Sequence, residues 1–408
     1  MKFYLYANKT NIKEYTIRLI QYLFQKNGID IVGDPIDSDI VMVSICDSTE
    51  ISDIEKAKKY GKPVIVGGMI SETPIINELA DYVYHGEIYG IVDHLKNGGL
   101  LDDCEYITTK KNKKLKIYQN IRYEDNPIIR VGSRAAYYYC GKGCPVKCKY
   151  CLIGSARKYQ TVPQKQYRAA ERAIKKSGGR MMPIAAYNPY AASTERNITE
   201  VLLKKYVKYD GLNLGKSLIR SGVEFCTERM SRGLAKNVNI NDINKAIAIS
   251  KRDKGRMILY FIAGLESQNE WEFFFNNLSK EFATTPVITG VFTYLSPQPM
   301  TPLYDLDLRC RVEIDAKKIF AVINQVNKRI RVMPLANIKK STIRSLMERS
   351  VNIKEYNLVK ELSKKKYTYQ DCIDSVEKKH PHLLGSSTID DCLKRKRGCG
   401  GTIGNYWD

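Results

Sequence analysis

Cys140-Gly-Lys-Gly-Cys144-Pro-Val-Lys-Cys148-Lys-Tyr-Cys151 is the stretch on which the reading of this chain turns. Cys144, Cys148 and Cys151 follow the spacing C-x-x-x-C-x-x-C, and the aromatic Tyr150 stands directly before the last cysteine. Soft thiolates suit iron, and a short loop can bring three of them onto one centre. Three thiolates hold three corners of an iron–sulfur cube and leave the fourth iron without a protein ligand, open to a substrate. A structural zinc site is the competing reading, because Zn²⁺ prefers four closed ligands and Cys140 could supply the fourth. The spacing is unusual for a zinc knuckle, and no matching second pair follows nearby. The cluster reading leads, and Cys140 is expected to be a bystander on the strand running into the loop.

Composition sets the surroundings. The chain has 408 residues, enough for two or three domains with sizeable cores, and 43% of them are hydrophobic. No apolar run is long enough to span a bilayer, and Met1-Lys-Phe-Tyr-Leu-Tyr-Ala lacks a signal-peptide pattern. A cytoplasmic protein with no membrane partner is expected. Eleven cysteines, an odd number without paired spacing, fit a reducing compartment better than a disulfide scaffold. The formal net charge is +22, from 66 Lys and Arg against 44 Asp and Glu, a field that favours polyanions and makes nucleic acid a possible substrate. The alternative is a lysine-rich, solvated surface, with clusters at 110–116, 364–366 and 394–397.

The cysteine stretch, down to the aromatic before its third cysteine, resembles the cluster motif of the radical S-adenosylmethionine (radical SAM) enzymes. The resemblance implies a 4Fe-4S cluster whose open iron takes the amino and carboxylate groups of SAM. It further implies one-electron cleavage of the sulfonium to a 5′-deoxyadenosyl radical, fed by a small electron donor such as a flavodoxin or ferredoxin.

Residues 1–100 alternate strand-like and helix-like patterns: Lys2 to Tyr6, a helical Ile12 to Asn27, then the apolar runs Asp39 to Ile45 and Pro63 to Val66 around a helical Glu50 to Tyr60. This predicts a small doubly wound α/β domain with ligands at the carboxyl ends of its strands. One strand ends in Val66-Gly67-Gly68, and Ala80-Asp81-Tyr82-Val83-Tyr84-His85-Gly86-Glu87 follows. The pair resembles the Rossmann-like, cobalamin-binding domain of one radical SAM branch, which implies that Gly67 and Gly68 admit cobalamin. There is no D-x-H-x-x-G loop, so a histidine ligand to cobalt is not indicated. The glycines could also be turns in a Rossmann-like domain without a ligand. A second resemblance is to the tRNA methylthiotransferases, whose first domain holds three further cysteines. Here only Cys46 and, beyond it, Cys104 precede the cluster region. Cys46 is expected to be a small buried residue at a strand end.

Residues 101–128 read as a basic linker ending at Asn126-Pro127, and 129–305 as a radical SAM partial (β/α) barrel. Its first strand is expected to run from Ile128 to Tyr139 into the cysteine loop, with a helix at Gln164 to Lys176 and a strand at Arg180 to Tyr187. Family members carry a Gly-Gly-Glu-like element after this second strand, touching the SAM amino group. Gly178-Gly179 lies at the wrong end, so Asn188 or a nearby carbonyl would have to serve. Ser221 to Met230 resembles the family's fourth-strand stretch, which implies SAM contacts from Glu224, Thr227 and Arg229. Lys236 to Ile243 resembles the start of the next helix, with Asn239 or Asn241 as its cap. Arg256 to Ala263 is a buried strand ending in Gly264-Leu265-Glu266-Ser267. It resembles a family strand whose glycine admits the SAM adenine or ribose, which implies roles for Gly264 and Glu266. Leu295 to Leu303 resembles the proline-rich close of the barrel.

Residues 306–408 are expected to be mainly helical, for instance at Ala316 to Lys328 and Tyr356 to Lys366, with a Gly- and Cys-rich tail. This is unlike the small β-barrel that ends a methylthiotransferase. Cys372, Cys392 and Cys399, with His380 and His382, could bind a metal, but their irregular spacing favours ordinary thiols. Together the resemblances imply cobalamin-dependent methylation, or a related radical modification, of an unactivated carbon. Methylthiotransferase-like modification of tRNA and a metal-stabilised nucleic-acid-binding protein without catalysis are the alternatives.

Overall fold

The computed structural model describes residues 1–6, 11–113, 116–131, 135–156, 158–184, 198–200, 203–208, 210–213, 218–282, 288–315, 317–319, 321–322, 331–334 and 337–395. The first sheet joins β1 (Lys2–Tyr6), β2 (Asp30–Val32), β3 (Ile40–Ile45), β4 (Val64–Gly68), β5 (Tyr82–Tyr84) and β6 (Ile107–Thr108), in the order β2-β1-β3-β4-β5-β6. The strands through β5 run parallel, and β6 closes the edge antiparallel to β5. β3, Ile-Val-Met-Val-Ser-Ile, is buried throughout except at Ser44. Such a run can leave neither face wet, so both must be covered by helices. α1 (Asn11–Lys26) and α4 (Tyr89–Lys96) cover one face, packing Leu19, Leu23, Phe24, Ile91 and Val92 with Phe3 and Met42. α2 (Ser52–Lys58) and α3 (Pro74–Leu79) cover the other, where Ile54, Ala57, Ile75 and Ile76 meet Val41, Val43, Val64 and Val66. The doubly wound expectation holds in this sheet.

Three expected boundaries change. The 101–128 stretch is not a loose linker. β6 pairs Thr108 with Val83 and Ile107 with Tyr84, Tyr118 bridges Gly86, and Leu101, Cys104 and Ile107 are buried in the first core. The single strand expected over 128–139 folds back on itself: β7 (Ile129–Val131) pairs antiparallel with β8 (Ala135–Tyr139), and only β8 continues into the cysteine loop. Third, β16 (Arg331–Pro334) adds a strand where only helices were expected. It is short and pairs in parallel with a strand about forty residues upstream, so nothing local in the sequence announces it.

Between these lie β9 (Gly141–Lys142), α5 (Leu152–Ala156), β10 (Gln160–Thr161), α6 (Gln164–Lys176), β11 (Arg180–Ile184), β12 (Ile198–Glu200), α7 (Leu203–Lys208), β13 (Leu218–Glu224), α8 (Glu228–Gly233), α9 (Ile240–Arg252), β14 (Arg256–Ala263), α10 (Gln268–Phe282) and β15 (Ile288–Tyr294). β8 and β11 run parallel, and β12 to β16 form a second, wholly parallel sheet in chain order. Among the described residues no ladder joins the two sheets or closes them into a barrel. In β13 burial alternates, so Ile219 and Val223 pack on the helical layer while Arg220, Gly222 and Glu224 share the opposite face. Phe261, Trp271, Phe274, Phe275 and Phe292 form one aromatic cluster behind that sheet.

The remaining helices, Ile338–Arg349, Ile353–Leu362, Tyr369–Lys379 and Ile389–Lys394, are tied to the sheets by two buried arginines. Arg311 donates to Leu295 O at 2.5 Å and Thr342 Oγ1 at 2.8 Å. Arg349 donates to Leu306 O at 2.8 Å and Leu383 O at 3.0 Å. Five rigid donors let a guanidinium satisfy several carbonyls at once, which a lysine cannot do.

Candidate active site

β8 delivers the chain to the cysteine loop, and its register sorts the first cysteine from the rest. Cys140 is fully buried and falls on the face shared by Ala136 and Tyr138, in the apolar cluster under α6. It belongs to that core, as expected of a bystander. The loop then turns through Gly143 and Lys147, both at positive φ (65° and 52°). A Cβ on Gly143 would stand 2.8 Å from Lys158 O, so glycine is required there.

Cys148 is buried, whereas Cys144 and Cys151 are half-exposed. Their Sγ atoms do not all lie within 4.8 Å of one another. Four sulfurs around one zinc stand roughly 3.8 Å apart, so the three sulfurs as they stand are not arranged as a single-ion site. Burial pushes the Cys148 thiol up to about 11, against the opposing pull of Lys236 and a hydrogen bond with Tyr150. Burial raises Cys151 as well. Burial thus favours the neutral thiols at Cys148 and Cys151, and ligation of a metal there would have to displace their protons. Tyr150, the aromatic of the motif, lays its ring edge-on to Phe225 at 5.4 Å, and so places Cys148 against the end of β13.

The wall facing the loop is 234–237. Lys149 N donates to Leu234 O at 3.0 Å, and Cys148 Sγ lies 4.0 Å from Ala235 O. Ala235 and Asn237 both have positive φ (60° and 57°), which swings Lys236 inward. Its Nζ stands 3.1 Å from Glu224 Oε1, in a pair whose side chains are only 10% and 14% exposed. Burial alone would lower the lysine, but Glu224 and the thiols of Cys148 and Cys144 outweigh it and hold the ammonium charged. Gly222 makes the pair possible, because a Cβ there would stand 1.9 Å from Glu224 Oε1. Glu224 itself has φ 73°, at a bulge between β13 and β14.

The other expected residues divide. Thr227 caps α8, accepting from Met230 N at 3.3 Å, and donates through Oγ1 to Glu266 Oε1 at 2.6 Å. Glu266 also accepts from Thr227 N (2.6 Å) and Cys226 N (3.0 Å), so it laces the exits of β13 and β14 together. Gly264, at φ 105°, lies beneath Tyr294 and Arg311. Arg229 is exposed and pairs with Asp390, outside this group. Asn188 lies outside the described residues. Asn239, not Asn241, caps α9, in a capping box with Asp242.

A cavity of about 260 Å³ opens at the carboxyl ends of β3, β4 and β5 against α1. The order β2-β1-β3 reverses between β1 and β3, and such a switch point is where open parallel sheets receive ligands. Gly67, Gly68, Gly86 and Cys46 line it. A Cβ on Gly68 would meet Ile45 O at 2.2 Å, whereas one on Gly67 would meet only Tyr84 at 3.8 Å. Gly68 is therefore demanded by strand packing, and Gly67 leaves space at the cavity. Tyr15 stacks on Tyr139 at 6.0 Å, and both line the same cavity. One residue beyond Tyr139 the chain turns toward the cluster loop, where Lys142, buried, reaches back to Glu87 at 3.4 Å. The crevice and the cysteine loop thus flank one short segment, Tyr139 to Lys142. A glycine floor, an aromatic wall and an open side suit the edge of a large flat cofactor. His85 is turned away into the core, its Nε2 2.8 Å from Thr108 Oγ1.

Sequence reasoning missed Lys236, Lys142 and Gln298, whose Oε1 accepts from Leu152 N at 3.1 Å. Lys236 stands in the stretch that reads as the start of the next helix, and an inward lysine has no periodic signal. Cys104 is buried in the first core while Cys46 lines the crevice, so the two do not assemble a second cluster site. Cys372 and Cys392 are buried in separate apolar clusters, and Cys399 lies outside the described residues.

No protein-family model matches the chain, and no curated protein matches it in sequence. Solved structures do. The radical S-adenosylmethionine methyltransferase TsrM from Kitasatospora setae, with cobalamin and a [4Fe-4S] cluster bound, aligns with TM-score 0.56 and 9% identity over 74% of this chain and 73% of that one. TsrM with tryptophan substrate and the SAM analogue aza-SAM aligns at 0.54 and 9%, over 71% and 72%. Apo OxsB, a cobalamin-dependent S-adenosylmethionine radical enzyme, aligns at 0.50 and 13%, over 95% of this chain and 64% of OxsB. At such identities the likeness speaks to architecture, and the architecture of this chain is similar to that of the cobalamin-dependent radical SAM enzymes.

Proposed function

We propose that the chain is a radical SAM enzyme that uses cobalamin to methylate an unactivated carbon of a large or polyanionic substrate. The observation that carries this is the placement of the cysteine loop and the switch-point crevice on either side of Tyr139 to Lys142. When bound, a 4Fe-4S cluster with SAM supplies radical chemistry, and cobalamin supplies a transferable methyl group.

The chain's own part is to hold and to shield. Cys144, Cys148 and Cys151 would hold the cluster, and the Lys236 ammonium balances the negative charge of a thiolate-ligated centre. Glu224 fixes Lys236 and stands at the strand end where the SAM amino acid moiety would lie. Thr227, held by Glu266, keeps the neighbouring strand exit rigid. Tyr15 and Tyr139 wall the crevice, while Gly67 leaves room for a flat ligand.

A polyanionic substrate is supported by a further cavity, of about 570 Å³, between Ser48 to Ser52 and the helices at 338–362. Lys339, Lys340, Arg344, Lys360 and Lys365 line it, and among the described residues two carboxylates, Asp47 on Arg344 and Glu55 on Lys360, form ion pairs with them. An excess of cations beside backbone and hydroxyl donors suits phosphate.

The test is anaerobic reconstitution with iron, sulfide and hydroxocobalamin, followed by SAM and a reductant. About four irons per chain, cob(II)alamin absorbance, and 5′-deoxyadenosine or S-adenosylhomocysteine are expected. Failure of loaded protein to make either product overturns the reading. Binding of total tRNA that weakens steeply with salt, and weakens further in K339A/K340A/K365A, would support the polyanion.

A further inference from the structure

We propose that Glu355, His380 and His382 form a binding site for a divalent transition metal, zinc in the first instance, separate from the cysteine loop. One donor atom from each lies within 4.8 Å of the others, the one such group of three among the described residues. His382 Nε2 stands 3.2 Å from Glu355 Oε1, and His380 Nδ1 stands 3.7 Å from the same oxygen. Nitrogen and oxygen ligands about 2.0–2.1 Å from a tetrahedral zinc stand roughly 3.3–3.4 Å apart, and the two distances bracket that value.

The site is built in advance of any ion. Glu355 is 3% exposed, and its carboxylate is oriented by Val351 N on Oε2 and Asn352 Nδ2 on Oε1, both at 2.9 Å. The two imidazoles come from His380-Pro381-His382, where proline restricts the backbone between them. Leu383 and Leu384, fully buried, anchor the turn beyond, and Leu383 N closes on His380 O at 3.0 Å. One protonated histidine would satisfy a buried carboxylate. Two rings converging on a single oxygen through different ring nitrogens is a redundancy that metal ligation accounts for. Imidazole and carboxylate together suit zinc and its neighbours among divalent metals, and three protein ligands leave a fourth position on the exposed side, where His382 is 55% exposed. Bound metal would pin the start of Ile353–Leu362 to the turn after Tyr369–Lys379, and so brace the helical region that packs on the first domain.

The test uses the full chain with its cluster already loaded, incubated with ZnCl₂ and desalted. Retained zinc is compared with that of H380A/H382A, and of E355Q, which keeps an oxygen for Val351 N. The wild type is expected to retain about one zinc more than either variant. Its affinity should exceed theirs by more than about a hundredfold, since even outer-shell losses cost about ten- to a hundredfold. ZnCl₂ should also raise the unfolding temperature of the wild type and leave that of H380A/H382A unchanged. The histidines are at the surface, so the double variant is expected to fold. Equal zinc retention in wild type and H380A/H382A, which would place any zinc on thiols, or an equal thermal shift in both, overturns the proposal.

Discussion

The switch-point crevice and the cysteine loop, which the proposed function assigns to two bulky cofactors, are shaped in opposite ways. In the first domain every described residue at positive φ is a glycine: Gly28, Gly61, Gly68, Gly86 and Gly98. Around the cysteine loop the left-handed conformation is taken by Lys147, Glu224, Ala235 and Asn237 as well as by Gly143 and Gly264. A non-glycine residue held there costs about 1–3 kcal/mol, and it persists only where surrounding contacts over-determine it. Those contacts are present: the buried pair of Lys236 with Glu224, the docking of Lys149 on Leu234, and the edge of Tyr150 on Phe225. The crevice gains its shape by omitting side chains, whereas the loop gains it by clamping them.

The largest effect should follow from the loop's ligands. Cys148→Ser is expected to abolish iron retention and all SAM cleavage while leaving cobalamin uptake by the first domain intact. Iron content and cob(II)alamin absorbance read the two separately. Loss of both together would break the comparison, since it would mean that the two regions are one folding unit.

Lys236→Met comes next. It leaves Glu224 buried without its cation, for a loss of about 3 kcal/mol in unfolding free energy, and it removes the positive charge beside the cysteines, lowering iron retention. Adding Glu224→Gln should restore most of the stability, read by denaturant melts, without restoring the iron. Recovery of both would reduce Lys236 to a structural clamp.

The crevice offers a matched pair of adjacent glycines. Gly68→Ala drives a Cβ into Ile45 O, which is backbone and cannot yield, so the ends of β3 and β4 must part at a cost of about 2–3 kcal/mol. Gly67→Ala meets only Tyr84 at an ordinary 3.8 Å and should change stability by less than about 1 kcal/mol. If the crevice receives cobalamin, Gly67→Ala weakens its uptake nonetheless, because the new methyl lies at the lining. Unchanged uptake would argue that Gly67 serves packing alone.

What the sequence disclosed follows the same division. Omitted side chains leave letters behind: Gly67-Gly68, the cysteine spacing, and the apolar runs of β3 and β14 are local, and the structure puts them in the elements expected. Clamped geometry leaves none. Lys236 and Lys142 look like any of the chain's 66 basic residues until tertiary contacts turn their side chains inward. Arg229 shared its motif with Glu224, yet helical phase in α8 turns it outward to Asp390. The hairpin of β7 and β8 hid in a stretch that reads as one strand, and β16 depends on a partner far upstream. Local pattern was legible, and long-range pairing and inward charge were not.

The smallest predicted effect tests the clamp most directly, because it should change sign between the two regions. Gly61, at φ 69° and with no atom within 4 Å of where a Cβ would stand, differs from alanine there only in backbone strain. Gly61→Ala should therefore destabilise by about 1 kcal/mol. Ala235, at φ 60°, bears the strain that Gly61 avoids. Ala235→Gly relieves about 1–2 kcal/mol of it, offset by about 0.5–1 kcal/mol of extra chain entropy in the unfolded state and by the loss of one small buried methyl. The net change should lie between zero and about 1 kcal/mol in favour of folding. Asn237→Gly should gain less, since asparagine tolerates the left-handed region better than alanine. If Ala235→Gly is instead destabilising by as much as Gly61→Ala, rigidity at 235 outweighs strain, and the wall facing Cys148 is held by loss of freedom rather than by clamping contacts.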